Sequence, residues 1–435
     1  MSRAKVIQDP VHGSIEVGDV FLDILDRHEM QRLRGVRQLG LGNLVFPAAN
    51  HTRFEHCLGT YYLAGRMADA IGLDRVDADA IRMAGLLHDI CHPPLSHAME
   101  PLMERHTGMG HMDLAKALIF GDVPTFREAD ADLFGGCDTI AEIMEDSGIS
   151  ADSVCGYISS PESTGEEALD RFWDRQEFFP SKDYAHQIIH GPVDADQMDY
   201  LMRDAYHTGV SHGTIDSERL IKTMRVMNDR IVLLRGGITA AEGLMVSRSL
   251  MYTTVYFHET VRIAQRMFCK AAEASGADLS DIYLIGDREL SARIAETGGK
   301  PSAMVRRISS RILDKKAFAV YSEDMTEDKA MVLLEYSGRG GAERLENEIA
   351  AAAGMDPLDI GAEVTSESNL RGRMRIGKTD VAIADGEGRI RSLTRFSPIA
   401  RALQARDPFG WAVIVSAPEG RTEEVRRAAS KVLGF

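Results

Sequence analysis

Five side chains that could hold a metal or move a proton fall within thirteen positions: His88, Asp89, His92, His97 and Glu100, in GLLHDICHPPLSHAME (85–100). Neutral imidazole and carboxylate are the usual ligands of borderline divalent metals such as iron, manganese and zinc. Imidazole also exchanges its proton near neutral pH, which suits it to general acid–base work. A capping turn that merely happens to contain histidine is the plain alternative. Three histidines in ten residues, out of 14 in 435, weigh against it. The apolar run Ala84–Leu87 leads into the His-Asp pair, and Pro93 and Pro94 follow. Proline lacks an amide hydrogen and clashes with the preceding turn, so the prolines should stop the helix that carries the pair. A second helix is expected to begin over Ser96–Glu100.

Two ligands do not complete a hydrolytic centre, which takes about four protein ligands and keeps a position open for water. The others should be His or Asp on neighbouring helices. His56, on a helix beginning RFEH, and Asp196, in the carboxylate-rich DADQMDY, are the candidates.

The elements that must position these groups are mostly helical. VIQD and SIEV read as two short strands about a turn at Pro10, and a helical pattern follows from Asp19. Helices are expected from about Thr52, over Asp79–His88, over His111–Phe120 and from about Asp194. Ala240–Ala274 is the longest helical pattern. Ile231–Leu234 looks like a strand ending in a Gly-Gly turn, and further helices occupy 279–320. After Met331, strand-like runs (MVLLEY, DVAIAD, WAVIVSAP) alternate with helical ones. The expected fold is mainly α, a helical core with a smaller C-terminal α+β lobe. The expected divisions are a domain over 1–275, a helical connector over 276–330 and the lobe over 331–435.

Composition bounds the rest. Apolar residues are 44% and charged residues 27%, an ordinary globular balance. No apolar run approaches the ~20 residues of a membrane helix, and the N-terminus has no apolar signal core. Five cysteines at 57, 91, 137, 155 and 269 form no CxxC pair. That points to a reducing compartment, taken as the cytoplasm, without a disulfide framework or thiolate zinc site. The net charge of −16 argues against a nucleic-acid partner. Residues 122–183 hold 16 acidic against 4 basic side chains, a local balance of −12. This segment reads as a surface insertion or lid, and the remainder is near neutral, able to hold a basic polyphosphate pocket.

Four blocks in order, DPVHGSIEV, QRLRGVRQLGLGNLVFPAANHTRFEHCLGT, AGLLHDICHPPLSHAME and VDADQMDYLMRDAYHTGV, resemble the HD-domain metal-dependent phosphohydrolases. More narrowly, they resemble the branch of the vertebrate SAM-and-HD-domain deoxynucleoside triphosphate triphosphohydrolase and its prokaryotic relatives. The likeness covers residues 5–270 well and is looser beyond. The blocks begin near residue 5, so no SAM domain is expected. The resemblance implies metal ligands His56, His88, Asp89 and Asp196 for Fe, Mn, Ni or Zn, with Mg accompanying the nucleotide. It implies hydrolysis of a dNTP to deoxynucleoside and triphosphate by metal-activated water attacking the α-phosphorus. His97, oriented by Glu100 where the family more often has Asp, would protonate the leaving oxygen, and His92 and His111 would bind phosphate oxygens. Arg53 and Arg248 match phosphate ligands, and Gln38 and Leu39 match residues that meet the sugar. Tyr200 and Asp204 match the pair that covers the ribose and accepts its 3′-hydroxyl. Tyr252 and Tyr256 would finish the wall, although tyrosines at i and i+4 are also ordinary core.

The resemblance also implies a homo-oligomer, dimer or tetramer, and matches guanine-site positions Lys5, Asp26, Gln31 and Arg34, whose alternative role is an ion-paired oligomer face. Departures are Gln197, where a lysine is frequent, and Glu259 and Ala319, where lysines are expected. Another HD phosphohydrolase, acting on a different nucleotide or a phosphomonoester, is the second reading. A nucleotide-gated scaffold is the third, disfavoured by the intact ligand set.

Overall fold

The computed structural model describes residues 4–159, 183–365, 370, 381–404 and 410–435. Its centre is a long helix, α3 (Arg53–Ile71), which begins where the sequence lets it. Thr52 and Glu55 form a reciprocal capping box, and Gly72, at φ +76°, ends it in the left-handed region. Before it come an antiparallel hairpin, β1 (Ala4–Asp9) and β2 (Gly13–Gly18), and two short helices, α1 (Asp19–Leu25) and α2 (His28–Arg32). After it comes α4 (Arg75–Leu87), capped by Asp74, which accepts from the Asp77 amide at 3.0 Å. A three-residue link makes α3 and α4 neighbours. Gly85 lets them close, since a Cβ there would stand 3.1 Å from Ala64 Cβ and from the Thr60 carbonyl oxygen.

The chain continues through α5 (Glu100–Thr107), α6 (His111–Phe120), α7 (Ala131–Phe134), α8 (Ile140–Asp146) and α9 (Ala151–Ile158). Next are α10 (Asp183–His190), α11 (Ala195–Thr208), α12 (Ser217–Thr223) and the hairpin β3 (Met224–Met227) with β4 (Arg230–Leu234). Helices α13 (Ile238–Met251) and α14 (Glu259–Ser275) flank a π-helical turn at Tyr252–Tyr256. The single 240–274 helix expected from periodicity is therefore two helices. Then α15 (Asp287–Glu296) and α16 (Gly299–Ser309) lead to β5 (Lys315–Tyr321). The last part holds α17 (Glu327–Leu334), α18 (Gly341–Ala353), β6 (Gly361–Val364), β7 (Ala382–Ala384), β8 (Ile390–Ser392), α19 (Pro398–Gln404), β9 (Trp411–Ala417) and α20 (Thr422–Leu433).

The mainly helical fold with a small α+β lobe is present. One apolar cluster, with Leu63, Met67, Ile81, Leu86 and Leu201 fully buried, fills the helical body. A second, around Leu345, Ile349, Val413 and Val425, fills the lobe under the sheet β5-β9-β6.

Three details differ from the sequence expectation. MVLLEY is not a strand: Met331–Leu334 ends α17, whose Thr326 cap accepts from the Lys329 amide at 3.3 Å. Lys315–Tyr321, assigned to the connector, is a strand because it pairs antiparallel with β9. DVAIAD contributes β7, which pairs parallel with β4 and so lies in the four-stranded sheet β3-β4-β7-β8, with Val381 and Ile383 buried in the helical body. Of the acidic stretch 122–183, residues 160–182 lie outside the described part; residues 122–159 form α7–α9 and their turns, and Asp183 begins α10. Among the described residues no helix is long and apolar enough to cross a membrane.

Candidate functional site

The His-Asp pair does not ride on a helix interrupted by proline. Helix α4 ends at Leu87 with His88 as its C-cap, and residues 88–91 are a turn. Pro93 and Pro94 follow in the connection to a 3-10 turn at Ser96–Ala98 and to α5. Leu95 and Ser96 both have positive φ, +59° and +55°. The strained pair is fixed from outside: the Leu95 amide donates to Asp287 at 2.8 Å, and Ser96 Oγ donates to the Arg37 carbonyl at 2.8 Å.

His56 on α3, His88 and Asp89 at the end of α4, and Asp196 on the first turn of α11 converge. His56 Nε2 is 3.2 Å from His88 Nε2, 3.1 Å from Asp196 Oδ1 and 3.5 Å from Asp89 Oδ2. His88 Nε2 is 3.5 Å from Asp89 Oδ2 and 3.8 Å from Asp196 Oδ1. Ligands bound at 2.0–2.2 Å, at angles of 90–110°, stand roughly 3.0–3.4 Å apart, so these atoms already trace the edges of a coordination sphere. The other ring nitrogens are committed. His88 Nδ1 lies 2.9 Å from the Gly85 carbonyl, which fixes it as the donor, and His56 Nδ1 lies 2.7 Å from Asp199 Oδ2. Both Nε2 atoms are left to face the centre, the arrangement that orients metal-bound histidine. Burial acts against charge on His56, but Asp196 and Asp199 outweigh it and raise its imidazole to about 10. A divalent cation here would displace that proton and balance the carboxylates.

Asp199 was missed in the sequence, and so was the layer behind it. Its carboxylate also meets His12 Nε2 at 2.6 Å and accepts from Arg203 Nε and Nη2 at 2.9 Å; Arg203 Nη1 donates to Asp9 at 2.8 Å. Asp199 and Arg203 are fully buried. The signal existed: DPVHG supplies Asp9 and His12, and Asp199–Arg203 is an i, i+4 acid–base pair facing the same way as Asp196.

On the other side of Asp89 a second group gathers. Arg53, 2% exposed, donates to Asp89, reaches Ser96 Oγ at 2.8 Å and lies 3.4 Å from His97 Nε2. His97 is the exposed member, with its Nδ1 held 2.9 Å from Glu100 Oε1. His92 Nε2 is 3.1 Å from Asp89 Oδ1; its Nδ1 is 3.1 Å from Glu100 Oε1 without hydrogen-bond alignment. His111 stacks on His92 at 4.6 Å, with Nδ1 3.6 Å from the same carboxylate. Burial, reinforced by Arg53, pushes His92 down to about 3, so it is neutral. Burial works against ionisation of Glu100 and Asp89. His97 and His111 around Glu100, and Arg53 and His88 around Asp89, hold both carboxyls well below the usual range.

Helix α11 carries Asp196, Tyr200 and Asp204 at four-residue steps, which places them along one face. Asp204 is buried, accepting from Tyr256 Oη at 2.7 Å and meeting His51 Nε2 at 2.7 Å. His51 stacks on His207 at 4.5 Å and is another residue the sequence reading passed over. Tyr200 and Tyr252 each meet Tyr256 edge-on, at 6.0 and 5.2 Å. Burial raises the Tyr200 and Tyr256 hydroxyls well above their ordinary value, so both stay protonated. Arg248 is buried with its guanidinium 5.6 Å from the Tyr252 ring. The π-turn is what aims Tyr252 and Tyr256 at α11, a frequent role for such bulges. The Gln38 side-chain oxygen is buried without a hydrogen-bond partner among the described residues, and Leu39 packs half-buried against the core. Gln197 donates to the Gly191 carbonyl at 3.0 Å and to Asp194 at 2.9 Å, so it ties down the start of α11 rather than addressing a phosphate.

The guanine-site positions come together in pairs. Lys5 lies 3.3 Å from Asp26 on the surface; Arg34 donates to Gln31 at 2.8 Å and lies over the Phe54 ring at 3.6 Å.

Residues 53–132 match the HD domain model, and residues 215–435 match the model of the HD associated region. The uncharacterized protein MJ1154 of Methanocaldococcus jannaschii is 30% identical over 432 residues, spanning 97% of this chain and 81% of that protein. Human deoxynucleoside triphosphate triphosphohydrolase SAMHD1 is 29% identical over 344 residues, 74% of this chain and half of its own length. A hypothetical protein from Aquifex aeolicus, solved crystallographically, superposes with a TM-score of 0.69 at 26% identity over 98% of this chain and 99% of its own. With the matched HD region carrying His56, His88 and Asp89, and the HD associated region filling the second half, the chain belongs to the HD-domain phosphohydrolases.

Proposed function

We propose that the protein hydrolyses deoxynucleoside triphosphates to deoxynucleoside and triphosphate. The carrying observation is that the His56/His88/Asp89/Asp196 cradle lies between a proton-donor group, His97–Glu100, and a tyrosine-walled face that starts one turn along α11. The human relative's name gives the same reaction. A divalent metal such as Fe, Mn, Ni or Zn, held by the cradle, would supply Lewis acidity and hydroxide near neutral pH. Arg53, His111 and the neutral ring of His92 meet phosphate oxygens. Water attacks the α-phosphorus and the bond to the 5′-oxygen breaks. His97 delivers the proton from Nε2 to that oxygen, while Glu100 holds Nδ1 and stabilises the cationic ring. The Tyr200 ring packs against the sugar and leaves no room for a 2′-hydroxyl, and Asp204, held by His51 and Tyr256, accepts from the 3′-hydroxyl.

The test is a panel of dNTPs, NTPs and phosphomonoesters with Mn or Fe, run on wild type, Asp196→Ala and His97→Ala. Triphosphate release from dNTPs alone, falling at least 100-fold in both variants, is expected. Inorganic phosphate released from monoesters would replace this reading with a different HD phosphohydrolase. Lys5, Asp26, Gln31 and Arg34 are assigned to a guanine nucleotide that activates a homo-oligomer. Unchanged rate and mass on adding GTP or dGTP would remove that assignment.

A further inference from the structure

A cavity lined by arginines and aromatic rings lies apart from the candidate metal cradle. It has a volume of about 560 Å³ and lies between α2, the loop carrying Ile90, residues 125–134 and the start of α15. We propose that it is a second ligand site, for a phosphate-bearing anion of mononucleotide size, and that its occupancy is felt at the catalytic segment.

The charge in this cavity is uneven. Its carboxylates are already satisfied. Glu29 accepts from Arg27 at 2.8 and 3.1 Å, Asp130 from Arg127 at 2.8 Å, and Glu289 from Arg127 and from Arg293 at 3.0 Å. Asp287 is saturated by the Leu95 and Arg37 amides, at 2.8 and 3.2 Å. Two guanidiniums on the lining have no carboxylate partner among the described residues, and a third is paired only at long range. Arg288 is exposed with no carboxylate partner among the described residues. Arg34 donates only to neutral Gln31, and Arg37 stands 3.7 Å from Asp287. Guanidinium binds phosphate in a bidentate manner and is weakly hydrated, so three of them around one cavity favour a phosphorylated ligand. The same cavity is lined by Phe126 and Phe134, which gather about the His28 ring, with Phe134 stacked on it at 4.1 Å. Aromatic rings and arginines around one cavity suit a planar base with a phosphate, and the volume is in the range of small-molecule sites. Of the guanine-site positions only Arg34 reaches this cavity, so it is a separate place on the molecule.

The coupling is a short chain of contacts. Arg37 and Asp287 line the cavity and also clamp the strained Leu95–Ser96 corner. Ser96 Oγ in turn accepts from Arg53, which holds Asp89 and borders His97. A ligand that draws Arg37 away from Asp287 acts on a corner with two residues in the left-handed region, the part of the segment least able to hold its shape unaided.

The experiment is equilibrium titration of the full-length protein with AMP and with inorganic phosphate, on wild type, Arg288→Glu and Asp196→Ala. Hydrogen exchange of the peptide containing Leu95 and Ser96 is followed alongside. AMP binding is expected to weaken at least tenfold in Arg288→Glu and to be unchanged in Asp196→Ala. Inorganic phosphate should bind wild type at least tenfold more weakly than AMP, and AMP should change exchange at Leu95 in wild type. Binding to Arg288→Glu as tight as wild type, or binding abolished by Asp196→Ala, would overturn the site; unaltered exchange at Leu95 would overturn the coupling. Should Arg288→Glu not fold, Arg288→Ala carries the same expectation. None of these readouts depends on dNTP hydrolysis, so they stand or fall separately from the proposed activity.

Discussion

Individual side chains in this centre are defined as much by what stands behind them as by what they face. His92 illustrates it. Its imidazole is 1% exposed, beside Arg53, and is neutral down to about pH 3 instead of the usual 6.5. The unfolded chain therefore binds a proton that the folded chain refuses between those values. Stability is unaffected above pH 6.5 and falls as pH drops below it, at up to about 1.4 kcal/mol per pH unit. In His92→Gln, measured metal-free, denaturant midpoints between pH 4 and 8 should fall less steeply by one proton's worth. Equal slopes in variant and wild type would contradict the assignment. His56 and Asp199 make the same point: the ring became a ligand candidate from its motif, while the atom it presents is chosen by a carboxylate 143 positions away.

At the scale of elements, three helices must approach closely enough for four ligands to meet, and two glycines permit it. Gly85 brings α4 against α3. Gly59 brings α11 against α3: a Cβ there would sit 1.8 Å from Asp199 Oδ1 and 2.5 Å from Arg203 Nη2. No rotamer change within α3 relieves that overlap, so Asp199 or α11 must move. Gly59→Ala is expected to weaken Mn binding by 10- to 100-fold, the usual effect of losing a partner behind a metal ligand. Competition with a metal chelator gives the number, and wild-type affinity in Gly59→Ala would show that α11 tolerates the shift. Gly243 on α13, with nothing within 4 Å of its added Cβ, is the control.

For the whole molecule, the join between helical body and lobe includes a buried ionic group, beside the pairs Arg262–Glu363 and Lys316–Glu259. Glu346 on α18 accepts from Arg266 twice and from Lys270, each at 2.7 Å, and from the Ala362 amide at 2.8 Å. Removing one partner of such a group leaves uncompensated buried charge, worth about 3–5 kcal/mol. Glu346→Ala should lower the unfolding free energy by that amount, and hydrogen exchange should quicken over α18 and β6 before α3. An unchanged unfolding midpoint would mean that the apolar lobe contacts suffice. Strand pairing belongs to this scale too: β5 pairs with the distant β9, and β7 pairs with the distant β4 as well as with its neighbour β8.

The sequence alone determined what local chemistry can encode. Metal-ligand types and their spacing, helix starts near Thr52 and Asp194, and a mainly helical body all follow from caps, periodicity and residue type, whereas the helix expected over Asp79–His88 begins four residues earlier, at Arg75. The family blocks brought in His56 and Asp196 as partners of the pair. Tertiary structure decided what depends on distant partners. It placed His12, Asp199 and Arg203 behind the cradle and joined His51 to Asp204. It broke the long helix into a π-turn that aims two tyrosines, and it turned Lys315–Tyr321 into a strand. It also clustered Arg34, Arg37 and Arg288, from two remote segments, around one cavity. A capping box or a four-residue repeat is satisfied within a turn or two of chain. A buried carboxylate, a strand edge and a shared cavity are satisfied only by whatever the folded chain brings alongside.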